Sequence, residues 1–137
     1  MVPILYSPVP VPQPFVVVQL GIGMFLSTLN NTLFDDILDE GGDRVAGIRT
    51  LPTVWGSGNS MRMLWSLDAA WIAWVAACFA MGKLDAGHSA FLAFLGAYPL
   101  LYMGLSRFGK APKAWIDFLM ESDLLCFSLG LMLLSRA

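Results

Sequence analysis

Long runs of apolar residues alternate with short polar segments along most of this chain. A membrane helix needs about 20 predominantly apolar residues to cross about 30 Å of hydrocarbon. Four stretches meet this requirement and are predicted to be transmembrane helices: residues 15–34, 61–82, 88–106 and 114–134. The last of them also carries several acidic residues in its first half. The pattern predicts an all-α, multi-pass membrane helix bundle with about four transmembrane helices.

The N-terminal segment, residues 1–14, has a different pattern, because every second position from Pro8 to Pro14 is proline. Proline fixes φ and cannot donate a backbone hydrogen bond, so an extended, polyproline-like arm is expected there. The arm contains no lysine or arginine, which is not the pattern of a signal peptide. Residues 15–137 are expected to form a single membrane domain.

The composition agrees with a membrane protein. The chain of 137 residues is 57% hydrophobic and 13% charged, with a mean hydropathy of +0.67. Soluble domains are about 45–50% apolar and about 25% charged. A net charge of −2 without a basic patch gives no reason to expect nucleic-acid binding. Cys78 and Cys126 lie in apolar runs without ligand partners nearby, so buried thiols are expected.

Basic residues are distributed unevenly between the predicted loops. With four spans, the loops after the first and third spans lie on one side and, with their edges, hold six of the eight basic residues. These are Arg44, Arg49, Arg62, Arg107, Lys110 and Lys113. Because cytoplasmic loops carry an excess of lysine and arginine, both loops are predicted to be cytoplasmic, with the two termini on the opposite side.

The strongest chemical signal follows the first apolar run, in the segment DDILDEGGDRVAGIR. Asp36, Asp39 and Asp43 are spaced so that a helix would place them on one face. Gly41 and Gly42 are expected to end that helix and to let Asp43 fold back towards the other two. Carboxylates crowded at a membrane interface repel one another unless a cation compensates them. Mg²⁺ prefers such oxygen ligands and usually binds a substrate phosphate as well.

Arg44 and Arg49 follow these acids directly. A planar guanidinium donates paired hydrogen bonds and therefore suits phosphate oxygens. Together with the apolar helices, the segment predicts a ligand with an anionic head and a hydrophobic tail. A solvated acidic loop that ends a helix and binds nothing is the alternative.

The same segment follows the pattern DxxDxxxDRxxGxRTLP from Asp36 to Pro52, with Gly56 after it. This pattern resembles the second aspartate-rich motif of the UbiA-type membrane prenyltransferases. Those are helical enzymes that join a polyprenyl chain to an aromatic or other lipophilic acceptor. Residues 15–137 are similar to the C-terminal half of such an enzyme.

The resemblance implies a role for each charged residue of the motif. Asp36, Asp39 and Asp43 would be the catalytic carboxylates, holding Mg²⁺ that bridges to a polyprenyl diphosphate. Arg44 and Arg49 would bind the diphosphate and stabilise its charge as it leaves. The apolar bundle would exclude water from the allylic cation. The family's cytoplasmic active site agrees with the orientation inferred from the basic residues.

The family's enzymes carry two aspartate-rich motifs, one in each half, whereas this chain has only the second. The chain is therefore expected to be part of a split or truncated enzyme with a second chain, or a homodimer in which two acidic loops face each other. A non-catalytic membrane subunit derived from a prenyltransferase half is the main alternative. A small ion or proton carrier using Asp117 and Glu121 is a further one.

Three other polar residues are candidates because of their positions. Asn31 lies one turn before the acids and is predicted either to bind the substrate headgroup or to be an ordinary helix-terminal residue. Asp117 and Glu121 lie one turn apart in the last span, where acids usually face a cavity or a partner. They are candidate acceptor-site groups. Alternatively, Lys113 pairs with Asp117 and the helix begins later in the sequence.

Overall fold

A computed structural model describes residues 14–107 and 112–134 of the chain. The helices are α1 (Pro14–Leu38), α2 (Glu40–Ala46), α3 (Leu51–Trp55), α4 (Ser57–Ala80), α5 (Ala86–Arg107) and α6 (Lys113–Leu134). The predicted all-α helix bundle is confirmed. The proline-rich arm lies outside the described residues except for Pro14, which begins α1, where a missing N–H costs little.

Three helices, α1, α4 and α5, are long and apolar enough to cross a membrane. The chain is therefore a multi-pass membrane helix bundle. Helix α6 has 22 residues and nearly the bounds of the predicted fourth span. It is not among the helices of the described segments that are apolar enough to cross. Its charged residues are the reason: Lys113, Asp117, Glu121 and Asp123. The prediction of four spans is confirmed for three.

The indole ring of Trp71 lies where α1, α4 and α5 meet. This side chain of α4 is 5% exposed, and its Nε1 donates a 2.9 Å hydrogen bond to the carbonyl of Leu92 in α5. Glycines let the neighbouring backbones approach the ring. A Cβ added at Gly96 would lie 2.6 Å from Trp71 Cδ1, and one at Gly23 would lie 3.1 Å from Cζ2. Small residues at such contacts are typical of helices that pack within a membrane.

Two apolar clusters fill the bundle. The cluster around Trp71 also contains Val16, Val75, Cys78, Leu84, Leu92 and Leu95. The second cluster is adjacent to the acidic segment and contains Phe34, Leu64, Tyr102, Met103, Ile116 and Met120. The prediction of buried thiols is confirmed for Cys78, whereas Cys126 is only half-buried. The second cluster connects α6 to the rest of the bundle, directly below the acids.

Polar side chains also join α1 to α4 inside the bundle. Asn30 Nδ2 donates a 2.7 Å hydrogen bond to Asp68 Oδ1, and the two residues are 2% and 1% exposed. Nearer the other end, Trp74 Nε1 donates to Gln19 Oε1 over 2.8 Å. Polar groups in hydrocarbon are costly unless they are partnered. These two bonds therefore fix the register of α1 against α4.

Candidate functional site

The acidic segment is a bent continuation of α1. Asp39 lies at the junction between α1 and α2, with φ −97° and ψ 3°. Backbone hydrogen bonds continue through the bend, from Asp39 N–H to the Asp35 carbonyl (2.9 Å) and from Asp43 N–H to the Asp39 carbonyl (3.0 Å). The acids are therefore held on helical backbone at the end of the membrane-spanning helix.

Gly41 and Gly42 lie inside α2, so the prediction that they end the helix is wrong. Glycine within a helix costs only about 1 kcal/mol relative to alanine, which does not force an end. The helix ends at Gly47, where φ is 72° and the left-handed backbone favours glycine. There the Ile48 N–H donates a 2.9 Å hydrogen bond to the Asp43 carbonyl. The helical register thus extends past all the acids of the segment.

The carboxylates of the motif are close neighbours. Asp36 lies near enough to Asp43 and Asp39 for their negative charges to act on it. Asp36 and Asp43 are half-buried, and Asp39 is exposed. Within residues 14–107 and 112–134, however, no three His, Cys, Asp or Glu side chains converge closely enough to hold a metal ion alone. In these segments the acids concentrate negative charge at the end of α1 but do not form a complete metal-binding site.

Two cations are bonded to acids of this segment. Arg44 forms a 2.6 Å ion pair with Glu40, and Lys113 at the start of α6 forms a 3.3 Å ion pair with Asp39. The alternative prediction that Lys113 pairs with Asp117 is therefore wrong. The Lys113 side chain contacts Asp39 at the end of α1 instead. Exposed ion pairs are worth only about 0–1 kcal/mol, so both cations are available to an incoming anion. Arg49 is exposed in the connection between α2 and α3.

Asn31 connects three helices through its side-chain amide. Its Oδ1 accepts a 2.6 Å hydrogen bond from the Tyr102 hydroxyl of α5, and its Nδ2 donates over 3.2 Å to the Met120 carbonyl of α6. The amide is thus engaged by protein partners at both ends. Its substrate-binding role stays a prediction, and the structure assigns it a part in holding α6 beside α1.

A cavity of about 400 Å³ lies along α1, below the acids. Its lining combines apolar residues, hydroxyl groups, an amide and two carboxylates. The lining residues are Met24, Ser27, Thr28, Asn31, Thr32, Asp35, Asp36, Leu95 and Phe127. Ligand pockets commonly measure about 300–1,000 Å³. Asp36 therefore belongs to both the motif and a cavity large enough for a small amphiphile, which we call the α1 cavity.

The candidate acceptor-site acids of α6 are not among the residues that line the α1 cavity. Asp117 is half-buried and near enough to Asp35 for their charges to interact. Glu121 is exposed on α6. The structure thus brings Asp117 to the acidic segment, whereas Glu121 lies outside the cavity lining.

Sequence reasoning overlooked the hydroxyl groups of the α1 cavity. A signal for them exists, because polar pairs recur every four residues along the apolar α1. The pairs are Ser27 and Thr28, Asn31 and Thr32, and Asp35 and Asp36. Residues four apart lie on the same side of a helix, so this spacing predicts a polar stripe that leads to the acids.

None of the family models, curated proteins or solved structures compared with the chain matches it. The resemblance to UbiA-type prenyltransferases therefore depends on the motif from Asp36 to Pro52 and on the membrane bundle beneath it. The functional conclusion must come from the chemistry of these residues.

Proposed function

We propose that this protein takes part in the Mg²⁺-assisted transfer of a prenyl group from a polyprenyl diphosphate to an aromatic or other lipophilic acceptor. The observation that carries the proposal is the placement of the motif acids, with Arg44 and Arg49, at the end of an apolar helical bundle. Because only one aspartate-rich motif is present, the active form would contain a second chain or be a homodimer.

The donor set fits a Mg²⁺ ion that is shared with a phosphate ligand. Mg²⁺ usually binds one or two protein carboxylates and completes its coordination with water and phosphate oxygens. Asp36 and its neighbours Asp39 and Asp43 supply carboxylate oxygens of this kind. The lack of three converged ligands among the described residues argues against a metal held by this chain alone. When bound with diphosphate, Mg²⁺ would supply Lewis-acid neutralisation of the leaving group.

The chain's own residues would bind the diphosphate and hold the prenyl chain. Arg44 would exchange Glu40 for a phosphate oxygen. Arg49 is exposed and forms no ion pair within the described residues, so it is available to the same ligand. The apolar bundle below would hold the prenyl chain and keep water away from the reacting carbon. We also propose that this end of the bundle is cytoplasmic, because six of the eight basic residues lie in or beside the two sequence segments that join α1 to α4 and α5 to α6.

A non-catalytic membrane subunit is the second candidate. It is favoured by the ion pairs that already engage Glu40 and Asp39, and by the lack of a self-sufficient metal cluster among the described residues. In that case the acidic end would bind a partner protein, and the chain would neither bind nor convert a prenyl diphosphate.

The first test measures binding of farnesyl diphosphate to the purified chain in lipid nanodiscs, with Mg²⁺ and with EDTA. We expect Mg²⁺-dependent binding that Asp36→Asn and Asp39→Asn each weaken at least about tenfold, since hydrogen bonds and contacts to charged groups are worth about 1.5–3 kcal/mol. Asp85→Asn removes the same charge in the turn between α4 and α5 and serves as the matched control.

Turnover separates the remaining possibilities. Prenyl transfer by the purified chain with an aromatic acceptor would exclude the non-catalytic subunit. Mg²⁺-dependent binding without turnover would point to a second chain that completes the site. Equal binding by wild type and by Asp36→Asn would refute the prenyltransferase assignment.

A further inference from the structure

The Ser27 hydroxyl belongs to the polar lining residue that is farthest along α1 from the acids. The residue is 7% exposed, and its Oγ has no hydrogen-bond partner among the described residues. A buried hydroxyl without a partner is unfavourable. Ser27 also lines the cavity, so a rotation of its side chain about χ1 would bring the enclosed hydroxyl to a polar atom of a bound molecule.

The hydroxyls nearer the acids have their hydrogens committed to the backbone. Thr28 Oγ1 donates to the Met24 carbonyl and Thr32 Oγ1 donates to the Thr28 carbonyl, each over 3.0 Å. The amide of Asn31 donates to α6, as described above. The two threonine hydroxyls therefore offer oxygen lone pairs to the cavity, and Asn31 Nδ2 has a second N–H besides the one bonded to Met120.

Two adjacent carboxylates, Asp35 and Asp36, complete the lining at the end of α1. Neither forms an ion pair within the described part of the chain. Lys113, which is bonded to Asp39, also acts on Asp35 through its charge. This end of the cavity is therefore complementary to a positively charged group.

From this lining we infer that the α1 cavity binds a lipophilic amine, whose ammonium group lies between Asp35 and Asp36. The apolar body would extend along Met24, Leu95 and Phe127. An ammonium group donates three hydrogen bonds and carries the charge that the two carboxylates require. This site goes beyond the proposed prenyl transfer, because it takes a cation directly and requires neither a metal nor a diphosphate.

The spacing along α1 also sets the length of the ligand. Ser27 and Asp35 are eight residues apart, which corresponds to about 12 Å at 1.5 Å per residue. The ligand is therefore expected to carry a second polar atom about 12 Å from its nitrogen. That atom would meet the Ser27 hydroxyl.

The experiment compares three probes with the same chain: dodecylamine, dodecanol and dodecanoate. Each is titrated calorimetrically into nanodiscs of zwitterionic lipid that contain the protein, and the signal from empty nanodiscs is subtracted. The solutions contain EDTA and no diphosphate. We expect saturable, one-site binding of the amine alone. Equal binding of amine and alcohol would overturn the inference, because the carboxylates would then contribute nothing.

Variants of Asp35 isolate the charged contact. Asp35→Asn is expected to weaken dodecylamine binding by about 10- to 150-fold, the range for a hydrogen bond to a charged group. Asp35→Glu keeps the charge and is expected to retain binding, and Asp85→Asn is the charge-matched control outside the cavity. Unchanged affinity in Asp35→Asn would refute the site. Circular dichroism of each variant verifies that the bundle is intact.

An ether-containing analogue of the amine tests the deep contact. An ether oxygen placed to reach Ser27 is expected to raise affinity about 2- to 12-fold in wild type, and Ser27→Ala should abolish that gain. A gain that persists in Ser27→Ala would contradict the assigned depth. Amine binding is measured in EDTA without diphosphate and through variants of Asp35, which is not one of the motif acids, so its failure is distinguishable from a failure of Mg²⁺-dependent diphosphate binding.

Discussion

The contact between Gly96 and Trp71 allows a quantitative test of the packing. In Gly96→Ala, the new Cβ would lie 2.6 Å from Trp71 Cδ1 and 3.1 Å from Ile72 Cγ1. Carbon atoms pack best at about 3.5–4.0 Å, so the ring or α5 must move by about 1 Å. The ring is held on two sides, by its hydrogen bond to Leu92 and by its contact with Gly23. The clash therefore cannot be relieved by a simple rotation of the side chain.

Two opposing contributions determine the size of the effect. Overpacking a well-filled core costs about 1–3 kcal/mol, whereas alanine gains about 0.5–1 kcal/mol over glycine within a helix. The net result is a free energy of unfolding lowered by about 1 kcal/mol. Gly104→Ala in the same helix is the matched control, since its Cβ would meet no atom of the described residues within 4 Å. It should gain about 0.5–1 kcal/mol from helix propensity alone.

The assay is SDS-induced unfolding in mixed micelles, monitored by circular dichroism and tryptophan fluorescence. Gly96→Ala should unfold at a lower SDS fraction than wild type, and Gly104→Ala at a higher one. If the two variants shift in the same direction by similar amounts, then close packing on Trp71 does not stabilise the bundle.

Three further predictions use the same unfolding assay. Asn30→Val removes the donor to buried Asp68 and should lower stability by about 1–3 kcal/mol. If Asn30→Val leaves the stability unchanged, the hydrogen bond to Asp68 does not stabilise the bundle. The His88 backbone N–H holds the pKa of Asp85 below its usual 3.8, so this cap stabilises the folded state above that pH and is lost as pH falls. Asp85→Asn should flatten the decline in stability between about pH 5 and pH 2. Tyr102→Phe removes the hydroxyl that donates to Asn31 and should lower the free energy of unfolding by about 0.5–1.5 kcal/mol. Unaltered stability would contradict this prediction.

The long helices could be predicted because hydrophobic transfer dominates in a membrane. The predicted span 15–34 corresponds to α1 (Pro14–Leu38), and the predicted span 88–106 corresponds to α5 (Ala86–Arg107). The end of the acidic helix was wrongly predicted at the two glycines. A helix ends where its last carbonyls find donors, and here the left-handed turn at Gly47 provides them. Residue identity alone does not reveal which of several glycines adopts that conformation.

The candidate site, like the fold, could be predicted only in part from the sequence. The motif acids could be identified because charge is rare in this sequence and their spacing is distinctive. The Lys113–Asp39 pair joins residues 74 positions apart, and no local pattern reports such a contact. The cavity beside Ser27 arises from how α5 and α6 pack on α1, which depends on side-chain shape. The four-residue recurrence of polar pairs is the sequence signal for the polar side of α1 that lines this cavity.

The hydrogen bonds between α1 and α4 have a consequence for biosynthesis. Gln19 and Asn30 enter the lipid with α1, but their partners Trp74 and Asp68 follow 55 and 38 residues later. At about 5–20 residues per second, the ribosome needs about 2–11 s to add them. During this interval the two amides have no partner from α4. Contact with the translocon or an insertion chaperone would shield them from the lipid. The order of insertion, and not only the final packing, therefore constrains which polar side chains this helix can carry.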